Sequence, residues 1–257
     1  MDQTMEGILS RVEKPARYTG GEYNAVVKDR KKVDTRVALC FPDTYEIGMS
    51  NLGVRILYGL MNELPGVWCE RVFAPWGDME EEMRREGLPL YGLESGDPVS
   101  DFDILGFSLG YEMAYSNVLN LLDLAGLPLR SADRDESHPL VIAGGTCAYN
   151  PEPLAPFIDL FSLGEGEEVT VELIQLYRKA RREGWSRRDL LLAAAQIPGH
   201  YVPSLYEVTY QPDGTVAAVT PEPGAPELVT KRIVQDFDKS YFPVKTIVPS
   251  TEIVHDR

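Results

Sequence analysis

Three short segments combine small and polar residues in a pattern that suits a ligand. They are Asp43–Gly48 with the sequence DTYEIG, Ser108-Leu109-Gly110, and Gly144-Gly145-Thr146. Glycine and serine leave room beside the backbone, so a bound molecule can approach it closely. Each segment alone is also typical of an ordinary turn after a strand, with Asp43 capping a helix. Together they predict a surface of small groups that accommodates a broad, flat ligand.

A fourth segment, Gly164-Glu165-Gly166-Glu167-Glu168, has part of the glycine pattern of a dinucleotide-binding loop. The third glycine is missing, and glutamates stand where the phosphates would lie. Acidic residues in the first turn of a helix stabilise the helix dipole, but they repel a pyrophosphate. We therefore exclude a nicotinamide or flavin dinucleotide at this segment. The sequence also lacks a Gly-rich Lys-Ser/Thr phosphate loop, which argues against nucleotide hydrolysis.

Other catalytic or metal-binding patterns find no support. No Gly-x-Ser-x-Gly segment is present, so serine hydrolase chemistry is not indicated. The cysteines and histidines are widely separated along the chain: Cys40, Cys69, Cys147, His138, His200 and His255. Because this spacing fits neither a disulfide framework nor a zinc site, we predict no catalytic residue and no metal ligand in this chain.

The elements that position these segments alternate between strand and helix. Short apolar runs predict strands at Val37–Phe41, Trp68–Ala74, Asp103–Leu109, Leu140–Ala143 and Ile158–Leu163. Amphipathic segments predict helices at Asn51–Leu60, Asp78–Glu86, Glu112–Leu124 and Glu167–Arg182, and Asp43–Ser50 reads as a turn-rich loop. This order predicts an α/β fold with a doubly wound, mostly parallel sheet, Rossmann-like or flavodoxin-like, and helices on both faces. Ligands of such sheets bind outside the carboxyl ends of the strands, where all four segments lie.

The pattern changes near residue 199. Tyr201–Gln211 and Thr215–Thr220, joined by Pro212-Asp213-Gly214, predict a β-hairpin, and the following segment reads as an arm. We therefore expect an N-terminal extension over 1–35, an α/β domain over 36–198, and a hairpin and linker over 199–257.

The composition excludes some partners. The chain has 257 residues with 25 Lys and Arg against 40 Asp and Glu, a net charge of −15. Residues 37–168 hold 6 basic and 23 acidic side chains. Nucleic acids and anionic membranes both require a basic surface, so neither is an expected partner. Neither a signal sequence nor an apolar run of ~18 residues is present, which predicts a cytoplasmic protein.

The four segments also resemble a known cofactor-binding domain. Asp43–Gly48 resembles the cobalamin motif Asp-x-His-x-x-Gly, with Tyr45 in place of the histidine, and Ser108-Leu109-Gly110 and Gly144-Gly145 resemble its two later motifs in the same order. With Pro151-Glu152-Pro153, Gly164–Glu167 and Arg17–Tyr23, the chain is similar to an uncharacterised bacterial family of radical S-adenosylmethionine (SAM) proteins that has an N-terminal cobalamin-binding domain. The resemblance covers essentially the whole chain.

The resemblance implies the cofactor and its site. It implies cobalamin bound by Asp43, Thr44, Tyr45, Gly48, Ser108, Leu109, Gly110, Gly144, Gly145, Thr146, Gly164, Glu165 and Gly166. Because a phenol has a pKa of about 10 and is a poor neutral ligand, we expect cobalamin with its own base displaced and no protein histidine on cobalt.

Besides having Tyr45 in place of the histidine, the sequence departs from the family in lacking its Cys-x-x-x-Cys-x-x-Cys motif, which holds an iron–sulfur cluster. The chain is therefore expected to be a cofactor domain cut before the radical SAM barrel, and not catalytic alone. The barrel would be its partner in a longer protein and would hold the cluster and SAM. Methyl transfer and radical rearrangement are the reactions implied, with the substrate unknown.

Two alternatives stay open at this point. One is a doubly wound domain that has lost its cofactor and serves as a protein-interaction module, which the tyrosine at position 45 allows. The other is a flavodoxin-like domain that binds FMN or another mononucleotide, although no Ser/Thr-rich phosphate loop follows the first strand.

Overall fold

The computed structural model describes residues 3–248, whose main feature is a six-stranded sheet. The strands are Thr35–Phe41 (β1), Val67–Phe73 (β2), Ile104–Ser108 (β3), Leu140–Gly144 (β4), Leu160–Ser162 (β5) and His200–Tyr201 (β6). Their order in the sheet is β2-β1-β3-β4-β5-β6. All neighbours run parallel except β6, which is antiparallel to β5. A separate antiparallel hairpin consists of Tyr206–Tyr210 (β7) and Val216–Pro221 (β8).

Helices cover both faces of this sheet. They are Gln3–Leu9 (α1), Tyr45–Ser50 (α2), Leu52–Glu63 (α3), Gly77–Glu86 (α4), Tyr115–Leu124 (α5), Gly166–Glu183 (α6) and Arg187–Ala194 (α7). Ala38 and Cys40 of β1 pack with α4 and α5 on one face, which we call the α4 face. Val37 and Leu39 pack with α3, α6 and α7 on the other, the α3 face. Side chains alternate across the sheet because a strand has a period of two. The predicted doubly wound α/β fold with a later hairpin is confirmed.

Local signals account for several helix ends. The Asn51 side chain accepts a hydrogen bond from the Val54 N–H at 3.0 Å and begins α3. Ser186 caps α7 in the same way, accepting from the Asp189 N–H at 3.1 Å. Gly184 ends α6 in the left-handed conformation that glycine adopts without strain. None of the helices within residues 3–248 combines the length and the apolarity needed to cross a lipid bilayer.

Two details differ from the sequence predictions. The segment Asp43–Ser50 is not a loop throughout, because α2 occupies its second part. Tyr201 does not begin the hairpin: β6 pairs with β5, Pro203 then opens a short 3-10 turn, and β7 begins at Tyr206. Proline lacks the N–H that a continuous paired strand requires, which explains the break.

Residues 229–248, which we call the arm, lie against the rest of the chain. The Arg232 N–H donates to the Leu163 carbonyl at 2.8 Å, and the Glu165 N–H donates to the Arg232 carbonyl at 3.0 Å. Gly164 has φ +105° and leaves no space for a side chain beside Arg232. The arm is therefore fixed to the loop between β5 and α6. Residues 249–257 of the predicted linker lie outside the described residues.

Candidate ligand-binding site

A cavity of about 280 Å³ lies on the α3 face between the sheet and two helices. Its sheet side includes Gly106 and Ser108 of β3 and Ile142 and Gly144 of β4. Its helical side consists mainly of apolar side chains from α3 and α6: Ile56, Leu57, Met61, Leu173 and Ile174. The cavity reaches the carboxyl ends of the strands, because the residues that follow β3, β4 and β5 also line it.

Missing side chains on β3 and β4 explain why this space is open. A methyl group at Gly106 would lie no closer than 3.4 Å to Ile142, and one at Gly144 no closer than 3.5 Å to Ser162. At Gly110 nothing lies within 4 Å. A glycine inside a strand costs about 0.5–1 kcal/mol relative to alanine and often marks close approach of a ligand. The glycines therefore indicate a binding slot, since packing alone does not demand them.

The sheet topology places this slot at the position where such folds bind ligands. β2 lies on one side of β1 and β3 lies on the other, so the chain changes direction between β1 and β3. Ligands of open α/β sheets bind in the crevice outside the carboxyl ends at such a switch point. Val37 and Leu39 of β1 and four residues of β3 line the cavity, so it begins directly beneath the crevice.

The loops above the crevice are fixed to one another. We call this region the carboxyl edge, formed by residues 42–45, 74–76, 109–114, 145–151 and 163–166. The Leu109 N–H donates to the Gly144 carbonyl at 2.7 Å, and the Cys147 N–H donates to the Leu109 carbonyl at 3.1 Å. Gly145, at φ +100°, has no room for a side chain against Leu109. The ends of β3 and β4 therefore form one preorganised surface.

The two helices that cover the cavity differ in electrostatics at their first turns. α3 begins with Asn51 and Gly53 at the cavity and has no acidic residue in its first turn. α6 has Glu167 and Glu168 in its first turn, and Glu168 accepts a hydrogen bond from Arg232 at 2.9 Å. Helix N-termini favour anions unless acidic side chains compensate them. A phosphate group entering the cavity would therefore lie near α3 and not near α6.

Tyr45 does not line the cavity. Its hydroxyl donates to Glu22 at 2.8 Å, and its ring meets Phe73 edge-on at 5.4 Å between centroids. Glu22 in turn accepts from the buried guanidinium of Arg71 at 2.7 Å, and Arg71 also donates to Glu94 at 2.6 Å. Burial, and then the hydrogen bond to Glu22, raise the pKa of Tyr45 above its usual value. This phenol is therefore a neutral part of a buried network with the N-terminal extension.

Asp43 contacts a different tyrosine. The Tyr111 hydroxyl donates to Asp43 Oδ2 at 2.9 Å, while Asp43 Oδ1 accepts from the Thr44 N–H at 2.7 Å. Tyr111 follows the Gly110 of the predicted site and is 43% exposed. The site residues expected from the sequence do not include it. Its position directly after the glycine at the end of β3 was the signal that distinguishes it.

The predicted site residues thus divide into two groups. The cavity is lined by Ser108, Leu109, Gly110, Gly144, Gly145, Thr146, Gly164 and Gly166. Outside its lining are Asp43, Thr44, Tyr45, Gly48 and Glu165. Gly48 instead packs beneath the Phe73 ring. The sequence interpretation missed Gly106 and Ile142, because only the fold shows which positions inside a strand face the cavity.

None of the three cysteines lines the cavity. Cys40, Cys69 and Cys147 are buried free thiols, and burial raises the pKa of each. Within residues 3–248, no group of three or more His, Cys, Asp or Glu side chains is placed to hold a metal ion.

Comparisons with known proteins support the resemblance to radical SAM proteins. The family model described as "Radical SAM proteins, N-terminal" matches residues 53–203. An uncharacterized protein of Methanocaldococcus jannaschii is 25% identical over 154 residues, which are 60% of this chain and 29% of that relative. The match thus spans less than a third of the relative's length. No solved structure matches the chain.

Proposed function

Because the chain belongs to the family of N-terminal regions of radical SAM proteins, we propose that it binds cobalamin at its carboxyl edge. The observation that carries this proposal is the cavity on the α3 face, at about 280 Å³. Ligand cavities usually measure about 300–1,000 Å³, so this one suits one part of a large cofactor. A cofactor with a narrow tail and a wide ring fits a slot beneath an open edge.

In this arrangement the nucleotide tail of cobalamin enters the slot between β3, β4 and the helices α3 and α6. Gly106, Ser108 and Gly144 provide the space, and the apolar side chains of α3 and α6 cover the flat base. The first turn of α3 lies at the cavity and favours the single phosphate diester of the tail. The corrin ring lies outside, over the carboxyl edge. The cofactor supplies organometallic chemistry at cobalt, and these residues supply placement.

The Asp43–Gly48 segment has no histidine that could bind cobalt from the lower side of the corrin ring. Tyr45 directs its hydroxyl at Glu22 and lies outside the cavity lining. We therefore propose cobalamin with its own base displaced into the slot and no protein histidine on cobalt. The iron–sulfur cluster, SAM and the radical step are proposed for a barrel in a longer protein, with methyl transfer or rearrangement as the reaction.

The test compares hydroxocobalamin with cobinamide, which is a corrinoid that lacks the nucleotide tail. The wild-type chain is expected to bind hydroxocobalamin more tightly. Gly106→Val places a branched side chain in the slot, so it is expected to weaken hydroxocobalamin binding at least about tenfold, or 1.4 kcal/mol, and to remove the preference. Gly77→Val is the matched control, because Gly77 begins α4 in open space.

Circular dichroism and thermal unfolding establish that both variants fold. Valine suits a strand and fills space, so Gly106→Val is expected to unfold no earlier than wild type. Undiminished hydroxocobalamin binding by folded Gly106→Val would contradict the placement of the tail. Retention of neither corrinoid by folded wild type would contradict the function and favour an interaction module.

A mononucleotide is the second candidate, and the strand order favours it. The order β2-β1-β3-β4-β5 is that of flavodoxin-like folds, which bind FMN at the β1/β3 switch point. An FMN titration of the same preparation distinguishes the two ligands. Saturable FMN binding with no corrinoid binding would replace the cobalamin proposal.

A further inference from the structure

A pair of side chains crosses the switch point above the cavity. Asp43 follows β1 and Tyr111 follows β3, and their hydrogen bond of 2.9 Å joins the two loops on either side of the crevice. Tyr111 is partly exposed, whereas Gly110 beside it has nothing within 4 Å of its missing side chain. A ring whose tail passed Gly110 into the cavity would lie beside Tyr111.

The neighbouring loops continue this surface. Trp76 follows β2 and is 54% exposed, and Tyr149 follows β4 and is also 54% exposed. Tyr115, the first residue of α5, donates to the carbonyl of Cys147 at 3.0 Å and so fixes the start of α5 to the loop that carries Tyr149. The carboxyl edge thus offers aromatic side chains on both sides of Tyr111. A wide, mostly apolar ring would bury them.

Resting on the proposed cobalamin function, we propose that Tyr111, held by Asp43, is the phenol that contacts the lower face of the corrin. Tyr45 occupies the motif position in the sequence, but its hydroxyl and ring are already engaged by Glu22 and Phe73. The contact therefore moves from the loop after β1 to the loop after β3, and Asp43 serves as a positioning residue.

The hydrogen bond to Asp43 keeps the Tyr111 phenol protonated. Tyr111 gives its single proton to Asp43, and this bond raises the pKa of Tyr111. The phenol stays neutral at physiological pH, and a neutral phenol oxygen is a weak metal ligand. Tyr111 would thus contact the corrin as a neutral group and leave cobalt without a strong protein ligand.

The test introduces an imidazole at each tyrosine in turn. In Tyr111→His, the imidazole is shorter than the phenol and is expected to meet Asp43 through a water molecule, which leaves its other ring nitrogen available to cobalt. We expect the visible spectrum of bound hydroxocobalamin to change to that of a nitrogen-ligated corrinoid, and acid to reverse the change by protonating the imidazole. Nitrogen hyperfine splitting in the paramagnetic resonance spectrum of the cobalt(II) form provides a second readout.

Two control variants test whether the spectral change is specific to position 111. Tyr45→His is expected to leave the spectrum of bound cobalamin unchanged. Tyr149→His, at a somewhat more exposed position on the next loop, is expected to do the same. A second variant of the pair, Tyr111→His with Asp43→Ala, is expected to show a weaker change, because the imidazole is no longer oriented.

The outcomes separate the two proposals. If wild type and Tyr111→His both retain hydroxocobalamin with identical spectra, the inference about Tyr111 is wrong while cobalamin binding stands. A nitrogen-ligated spectrum from Tyr45→His alone would return the contact to the loop after β1. If the folded wild type retains no corrinoid, the proposed function fails and this inference fails with it.

Discussion

His200 is a buried histidine held in its neutral form. It lies in β6 with 1% of its surface exposed, and its Nδ1 donates to the Ala194 carbonyl at 3.1 Å. Its Nε2 has no hydrogen-bond partner within the described residues. Burial, opposed by this carbonyl and assisted by the charge of Arg232, lowers the pKa of His200 to about 4. The folded state therefore resists protonation of this ring.

This residue predicts a specific loss of stability in acid. The unfolded chain binds a proton at His200 near its ordinary pKa of 6.5, whereas the folded chain does so only near 4. The contribution is fully present above pH 6.5 and is lost as the pH falls from 6.5 through 4. The loss is about 2 kcal/mol at pH 5 and approaches about 3 kcal/mol below pH 4. Urea unfolding of wild type and His200→Gln at pH 7.5 and pH 5 measures it as the difference between the two proteins.

His138→Gln is the matched control for this experiment, since His138 lies at the surface beside Asp135. It is expected to lose stability in acid as the wild type does. An equal acid loss in wild type and His200→Gln would show that the buried ring does not contribute.

At the scale of elements, the arm stabilises one wall of the cavity. Arg232 accepts and donates backbone hydrogen bonds at the β5–α6 loop, and its side chain donates to Glu168 and Glu172 of α6 at 2.9 and 2.6 Å. Gly164 of that loop and Gly166, the first residue of α6, line the cavity. The arm therefore connects the part of the chain after the hairpin to the ligand site.

Arg232→Met is expected to loosen this connection without unfolding the domain. Partly exposed ion pairs contribute about 0–1 kcal/mol each, so the melting temperature should fall by only a few degrees. Amide hydrogen exchange at Glu165 and Arg232 should become markedly faster, because their backbone hydrogen bonds open more often. The matched control is Arg188→Met, which removes an exposed pair with Glu222. Unchanged exchange at Glu165 in Arg232→Met would refute the role of the side chain.

The sequence predicted the elements that carry a strong local period and missed those that depend on distant partners. The apolar run at β1 and the amphipathic segment of α6 are explicit in the sequence, and both were confirmed. β6 has two residues and exists only because it pairs with Ser162 and Phe161 of β5. α2 was read as a loop, because Asp43 and Gly48 suggested turns, whereas packing of Gly48 under Phe73 favours the helix.

In the candidate site, too, the sequence predicted the features with a local signal and missed those that depend on distant residues. The glycines after β3 and β4 were identified from their positions at strand ends. The hydrogen bonds from Tyr45 to Glu22 and from Arg71 to Glu22 could not be predicted. Glu22 and Arg71 lie 23 and 26 positions from Tyr45 along the chain and meet it only in the fold. The Asp43–Tyr111 pair joins residues 68 positions apart for the same reason.

At the scale of the whole molecule, the two faces of the sheet have different roles. The α4 face is closed by a continuous apolar cluster that includes α1, α4 and α5. The α3 face contains the cavity, which opens toward the carboxyl edge. Membership of the radical SAM N-terminal family and this asymmetry are the grounds for the proposed cofactor site. A ligand that binds only the folded chain would also stabilise it, by an amount that grows with the logarithm of the ligand concentration above its Kd.

The measurement that tests the central claim most directly is a titration of the purified chain with hydroxocobalamin, followed by gel filtration and a visible spectrum. Retention of one cobalamin per chain, with the spectrum of a displaced base and a raised melting temperature, is the predicted result. A chain that is folded by circular dichroism and elutes free of cobalamin at saturating concentrations would contradict the account.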